Sequence, residues 1–110
     1  MRRLSPRFTG DNLTRNLGLV DALRAVADEL GMSVAQAAIA WVTTRGSDVV
    51  ALIGARTRDR LSEALGALAV ELTDTQLSRI EAAVPAERVA GERYPAAHMA
   101  ALDSERRSLA

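Results

Sequence analysis

The chain has 110 residues, of which 48% are hydrophobic, 25% charged and 3% aromatic, and its formal net charge is zero. That is one domain's worth of chain, and the balanced charge argues against a dedicated nucleic-acid or anionic-membrane binder. The lack of cysteine excludes a disulfide framework, a thiolate nucleophile and a sulfur-ligated metal. No apolar stretch approaches the ~18–20 residues of a spanning helix. The start Met1–Arg7 is basic without an apolar region behind it, so it does not read as a secretory signal. The expectation is a soluble, cytoplasmic protein.

The opening dozen residues, punctuated by Pro6 and Gly10, read as a loop. From about Leu13 apolar residues recur at helical spacing through Leu17, Val20, Leu23, Val26, Ala27 and Leu30, with Asp21, Arg24, Asp28 and Glu29 on other faces. Gly31 stands where a helix C-terminus favours a left-handed residue. Ser33-Val34-Ala35-Gln36 then forms a capping box. It opens a second helix whose body, Ala37 to Val42, is apolar nearly all round and is expected to be buried on most sides. Arg45-Gly46-Ser47-Asp48 is a turn cluster, and Val49-Val50-Ala51-Leu52-Ile53 is a short apolar run rich in β-branched residues, closed by Gly54. Such a run predicts a strand covered on both faces, as in a parallel sheet. Thr57 is the expected N-cap of a third helix with Leu61, Ala64, Leu65 and Leu68 as its apolar stripe. A second capping box, Thr73 to Gln76, opens a fourth helix that buries Leu77, Ile80 and Val84 and stops at Pro85. Beyond lies a weakly periodic tail with a helical turn expected around 97–102. A lone buried-type strand needs sheet partners for its backbone polar groups. The run therefore reads as one member of a sheet whose other members lie elsewhere.

All 14 basic residues are arginine, and the chain holds one histidine (His98), one tyrosine (Tyr94), one tryptophan (Trp41) and one phenylalanine (Phe8). Without lysine no side-chain Schiff base can form, and a catalytic cluster of His, Tyr, Lys or Cys cannot be assembled. Trp41 reads as a core residue and His98 as a solvated one; a single histidine supports no metal site.

Arg7-Phe8-Thr9-Gly10-Asp11-Asn12-Leu13, with Asn16-Leu17 and Leu19-Val20, resembles the last third of an aldo/keto reductase. Ala35-Gln36-Ala37-Ala38-Ile39-Ala40-Trp41-Val42 is similar to that family's "AQ-x-A-L-A-W" helix. Val49 to Arg56 resembles its final barrel strand and cofactor turn, and Arg60-Leu61-Ser62-Glu63-Ala64 the helix start after it. The tail, with Arg93-Tyr94-Pro95, Met99 and Leu102 to Arg106, looks like the C-terminal extension of some bacterial members. The resemblance covers residues 7–85. It implies the C-terminal part of a (β/α)8 TIM barrel, mostly helical here with one short strand near 49–53. Residues 1–85 would be the barrel segment and 86–110 a tail or extension. A typical barrel needs ~250 residues, and the family's Asp, Tyr, Lys and His tetrad lies on earlier strands. The expectation is therefore a truncated gene, a pseudogene remnant or a misplaced start codon, with no catalytic residue here and no independent turnover.

The informative site is Gly54-Ala55-Arg56-Thr57-Arg58-Asp59-Arg60. A strand ends, a glycine admits close approach of a ligand, and a helix N-terminus offers free N–H groups and a positive dipole end. Guanidinium forks match phosphate oxygens. In the resembled family this turn holds the 2′-phosphate and adenine of NADPH. Carried over by position, Gly54 and Ala55 supply backbone contacts, Arg56 and Arg60 phosphate contacts, and Glu63 and Ala64 face the adenine end. The family usually has proline where Ile53 stands and asparagine where Ala64 stands. The alternative is a solvated helix start in which Asp59 and Glu63 pair with the arginines. NADP(H) is the implied cofactor, and a carbonyl compound the substrate once the front of the barrel is supplied; neither nucleic acid nor membrane is an expected partner.

Two other classes remain open. Leu23 to Ala37 resembles a helix-turn-helix with Gly31 in the turn, although its second helix offers only Gln36 to base edges. A helical protein-interaction module, binding through a free strand edge and apolar helix faces, is the third reading.

Overall fold

The computed structural model describes residues 2–102, so the tail motif at 103–106 lies outside the described residues. Five α-helices occur among them: α1 (Gly10–Glu29), α2 (Val34–Thr43), α3 (Arg58–Gly66), α4 (Asp74–Ala83) and the single turn α5 (Ala96–Met99). Short 3-10 turns lie at Arg2–Leu4, Pro6–Phe8, Ala67–Ala69 and Ala86–Arg88. The chain divides into two compact units, Val20–Pro85 and Met1–Leu19 with Ala86–Ala110, and α1 contributes to both.

In the unit Val20–Pro85, local chemistry explains each helix boundary. The C-terminus of α1 is closed by Gly31, at φ 71°. The Met32 N–H donates to the Ala27 carbonyl (3.0 Å) and the Gly31 N–H to that of Asp28 (3.1 Å). This pair of bonds is a Schellman closure, which satisfies orphan carbonyls and turns Met32 back onto the core. At the start of α2 the Ser33 hydroxyl accepts from the Gln36 N–H (3.1 Å) while Gln36 Oε1 accepts from the Ser33 N–H (3.0 Å). Thr73 and Gln76 repeat the arrangement at α4, so both capping boxes form as the sequence predicts. Thr57 caps α3 by accepting from the Arg60 N–H, and α4 stops at Val84, the residue before Pro85.

The core of this unit is thin. Ala27, Ala37 and Ile80 are its buried centre, flanked by half-buried Leu23, Val26, Leu30, Trp41 and Leu72 among others. Ala40, Ala64 and Ala67 are also buried. Small side chains let α2 and α3 approach, and the Gln36 side-chain amide bridges them by donating to the Glu63 carbonyl (3.0 Å). The expectation that α2 is buried on most sides is not met: Ala35 and Ala38 are exposed, and Ile39, Trp41 and Val42 only half-buried. Nor is the apolar stripe of α3 covered, since Leu61, Leu65 and Leu68 are all exposed. The physical reason is the same in both cases: these helices bury a row of alanines and carry their large side chains on faces that the described residues leave largely uncovered.

The predicted strand at 49–53 is the principal correction. Val49 to Ile53 is a non-helical run without regular structure, and no strand is present among the described residues. Val49 and Ala51 are half-buried against the helices while Val50 and Leu52 are 89% and 103% exposed. The period of two, a strand's signature, is therefore retained from Val49 to Leu52 and lost at Ile53, which is exposed. A ladder additionally requires a hydrogen-bonded neighbouring backbone about 4.8 Å away, and no such pairing forms among the described residues.

In the unit Met1–Leu19 with Ala86–Ala110, α1 begins at Gly10, three residues before the expected start and directly after the Pro6–Phe8 turn. The predicted turn near 97–102 forms as α5.

Candidate functional site

The chain from Val49 into α3 gives the site its shape. Beside the apolar run, Ile39 and Thr43 of α2 and Leu61 and Leu65 of α3 line an open apolar groove of about 320 Å³. The run then turns through Gly54, Ala55 and Arg56, all exposed, and enters α3 at Thr57. A Cβ placed at Gly54 would meet open space, so this structure leaves the backbone there accessible rather than crowded. Thr57 uses its hydroxyl on the Arg60 N–H. The Arg58 and Asp59 N–H groups stand in the first turn, outside the intrahelical ladder, at the positive end of the helix dipole.

The six residues singled out by sequence separate into three environments. Gly54, Ala55 and Arg56 lie together on the exposed turn. Arg60 and Glu63 are one turn apart on α3 and form an ion pair, with guanidinium and carboxylate at 3.1 Å. Hydrogen bonding from Ser33, then from Arg60, holds the Glu63 carboxyl below its ordinary value of 4.5. Ala64 is buried, at 7% exposure, and is among the residues lining the apolar groove beside the run. Arg58 and Asp59 are exposed beside the turn. The arrangement unites a helix N-terminus with two exposed guanidinium groups, those of Arg56 and Arg58, and a third whose charge is shared with Glu63. It can hold an anion; it contains no pair of groups arranged for proton transfer.

Sequence reasoning missed Ser33 as a partner of Glu63, because thirty residues separate them and only packing brings the start of α2 beside α3. It also missed Gln36 as a bridge. That side chain spends both ends inside the protein, on the Ser33 N–H and the Glu63 carbonyl, so α2 does not offer it to a base edge. The DNA-recognition alternative is accordingly not favoured. Trp41 packs at the core's edge, as expected, while its Nε1 donates to Glu81 (3.1 Å) and Arg45 lies 4.6 Å over its ring. His98 is exposed. Among the described residues no group of three or more His, Asp or Glu side chains is placed to hold a metal, and no helix is long and apolar enough to cross a membrane.

An apolar run, a glycine turn and a capped, arginine-bearing helix start are the parts of a β–turn–α unit of an α/β protein. The sequence model of the Aldo/keto reductase family matches residues 2–85, and the chain belongs to that family. It is 39% identical to "Probable aldo-keto reductase 1" of Glycine max, over 81% of this chain and 26% of that protein. It is 33% identical to "Aldo-keto reductase yakc" of Schizosaccharomyces pombe, a name that carries NADP(+), over 86% of this chain and 28% of that protein. The chain thus spans about a quarter of the length of the curated relatives it matches. No solved structure matches it.

Proposed function

We propose that this chain is the C-terminal cofactor-anchoring portion of an NADP(H)-dependent aldo/keto reductase. The observation that carries this reading is the exposed arginine cluster on the turn between the apolar run and the capped start of α3. An adenosine 2′-phosphate is a dianion near neutral pH, and such groups bind where helix N–H groups, a positive dipole end and guanidinium forks converge. Arg56 and Arg60 hold the phosphate in this reading, and Gly54 and Ala55 let it approach the backbone. Glu63 acts on it indirectly, by orienting Arg60. Ala64, carried over by position to the adenine end, has little exposed surface and contributes to the wall of the apolar groove. NADPH, when bound, supplies the hydride that reduces a carbonyl substrate. No lysine is available in this chain to complete the tetrad that the family resemblance implies, so the residues here bind and orient rather than catalyse. The name of the fission-yeast relative adds weak support for NADP over NAD.

The test is calorimetric titration of the full chain with 2′,5′-ADP and with 5′-AMP at low salt. Preferential binding of 2′,5′-ADP that is lost in Arg56→Ala and Arg60→Ala supports the reading. Equal binding of the two nucleotides, or a preference indifferent to both substitutions, overturns it.

The uncovered face of Val50 and Leu52 favours a second, compatible reading: a further polypeptide segment adds strands beside Val49–Ile53 and supplies the rest of a barrel. Co-expression with a polypeptide carrying the family's preceding strands and tetrad would then give NADPH-dependent carbonyl reduction. A soluble pair with no activity would count against it.

A further inference from the structure

The segment from Ala86 to Tyr94 has no buried residue, and only Val89, Ala90 and Gly91 are half-buried, so apolar packing contributes little to holding it. It is held by polar side chains of the N-terminal stretch. Asn16 grips Ala90 from both sides, accepting from its N–H at 2.8 Å and donating to its carbonyl at 2.8 Å. The second amide hydrogen of Asn16 goes to the Arg7 carbonyl (3.0 Å), which leaves that side chain's two donors both satisfied. Arg7 Nε donates to the Gly91 carbonyl (3.1 Å) and the Ser5 hydroxyl to the Arg93 carbonyl (2.8 Å). Gly91 lies at φ 82°, and a Cβ there would come within 2.9 Å of the Pro6 carbonyl. Only glycine permits both the conformation and the approach. Asn12 and Asn16 share a face of α1 four residues apart, and Asn12 donates to the Pro6 carbonyl (3.1 Å). Asparagine is a poor helix former, and here each copy is occupied outside the helix.

We propose that Ala86–Tyr94 is a releasable strap, clasped by Asn16 with Arg7 and Ser5, which detaches as one piece while Val20–Pro85 keeps its fold. Segments held by a few hydrogen bonds and little buried apolar area open at much lower free energy than a packed core. Each bond in the clasp contributes modestly by itself, and Asn16 makes the two that fix Ala90. Release moves Arg93 and Tyr94 together, because the Arg93 guanidinium lies 5.3 Å over the Tyr94 ring. The inference is independent of the cofactor reading.

Residue-resolved hydrogen exchange on the full chain tests it. In the unsubstituted protein the Ala90 amide exchanges more slowly than an unprotected amide but faster than those of Ala37 and Ile80. Asn16→Ala speeds Ala90 exchange by about tenfold or more and leaves Ala37 and Ile80 unchanged. Gly91→Ala, acting from the other side of the clasp, gives the same pattern, and Asn16→Asp, which keeps the acceptor and loses the donors, falls between. Ala90 exchange unaltered by Asn16→Ala overturns the proposal. So does an equal acceleration at Ala37 and Ile80, or an Ala90 amide already unprotected in the unsubstituted chain.

Discussion

The two units of the chain are held together by different physics. In Val20–Pro85, Ala27, Ala37 and Ile80 are buried together and capped helices surround them. In the other unit no described residue is buried, and asparagine, arginine and serine side chains bind backbone carbonyls instead. Apolar burial is cooperative, since each side chain touches several others, whereas a segment held by a few side-chain–backbone bonds around one clasping residue opens at much lower free energy. The first unit is therefore expected to resist local opening and the second to release its clasped segment first. Even the first is lean, because most of its fully buried positions are alanine and its large residues Leu61, Leu65, Leu68, Val50 and Leu52 face outward. A contiguous apolar surface of that kind marks a place where another layer packs.

Ile80→Ala should produce the largest effect. Truncating the one large buried side chain of the core is expected to cost about 2–5 kcal/mol, read as a large fall in thermal midpoint by circular dichroism. A loss below about 1 kcal/mol would show that the alanine core does not carry this unit and would erase the contrast between the two.

Ser33→Ala comes next and sharpens the contrast from inside the packed unit. It removes the cap of α2, for about 1 kcal/mol. It also removes the first of the hydrogen bonds that lower the Glu63 carboxyl. Glu63, followed by NMR titration, should therefore shift upward toward 4.5 in this variant, whereas Thr73→Ala, which removes the equivalent cap of α4, should leave it in place. A matching shift in both variants would mean that Ser33 reaches Glu63 only through general loosening.

The smallest expected effect is the pH dependence of the α2–α3 junction. The folded-state value of Glu63 lies below 4.5, so its contribution to stability is fully present above the unfolded-state value and is lost as pH falls through the lower, folded one. Acidification from neutrality should weaken the junction only below about pH 4.5, and Glu63→Gln should flatten that part of the profile. Weakening that begins near pH 6 would assign the dependence to another group.

The helices were legible in the sequence because their determinants are local. Ser33 with Gln36, Thr73 with Gln76, Gly31 and Pro85 act within a few residues of themselves, and all behave as read. The exposed turn was legible for the same reason, as a glycine followed by arginines at a capped helix start. The Arg60–Glu63 pair was legible as one of the two readings of that helix start, but the burial of Ala64 and the approach of Ser33 to Glu63 were not, since nothing within three residues of either reports that α2 lies alongside. The polar clasp left a fainter trace: Asn12 fell in the stretch read as a loop, and only Asn16 stood inside the expected helix, as a departure from helical preference that calls for a partner. That partner stands 74 residues away.

By itself the sequence determined the family, the order of the helices and the capped or glycine-closed boundaries among them, and the two-residue alternation of Val49 to Leu52, because composition, capping and alternation are encoded in neighbouring residues. Tertiary structure alone decided that this run has no ladder among the described residues, that Ala64 is buried, and that Asn16 secures the segment after Pro85. A strand needs another backbone beside it, burial needs another surface, and a clasp needs two distant stretches brought within hydrogen-bonding reach.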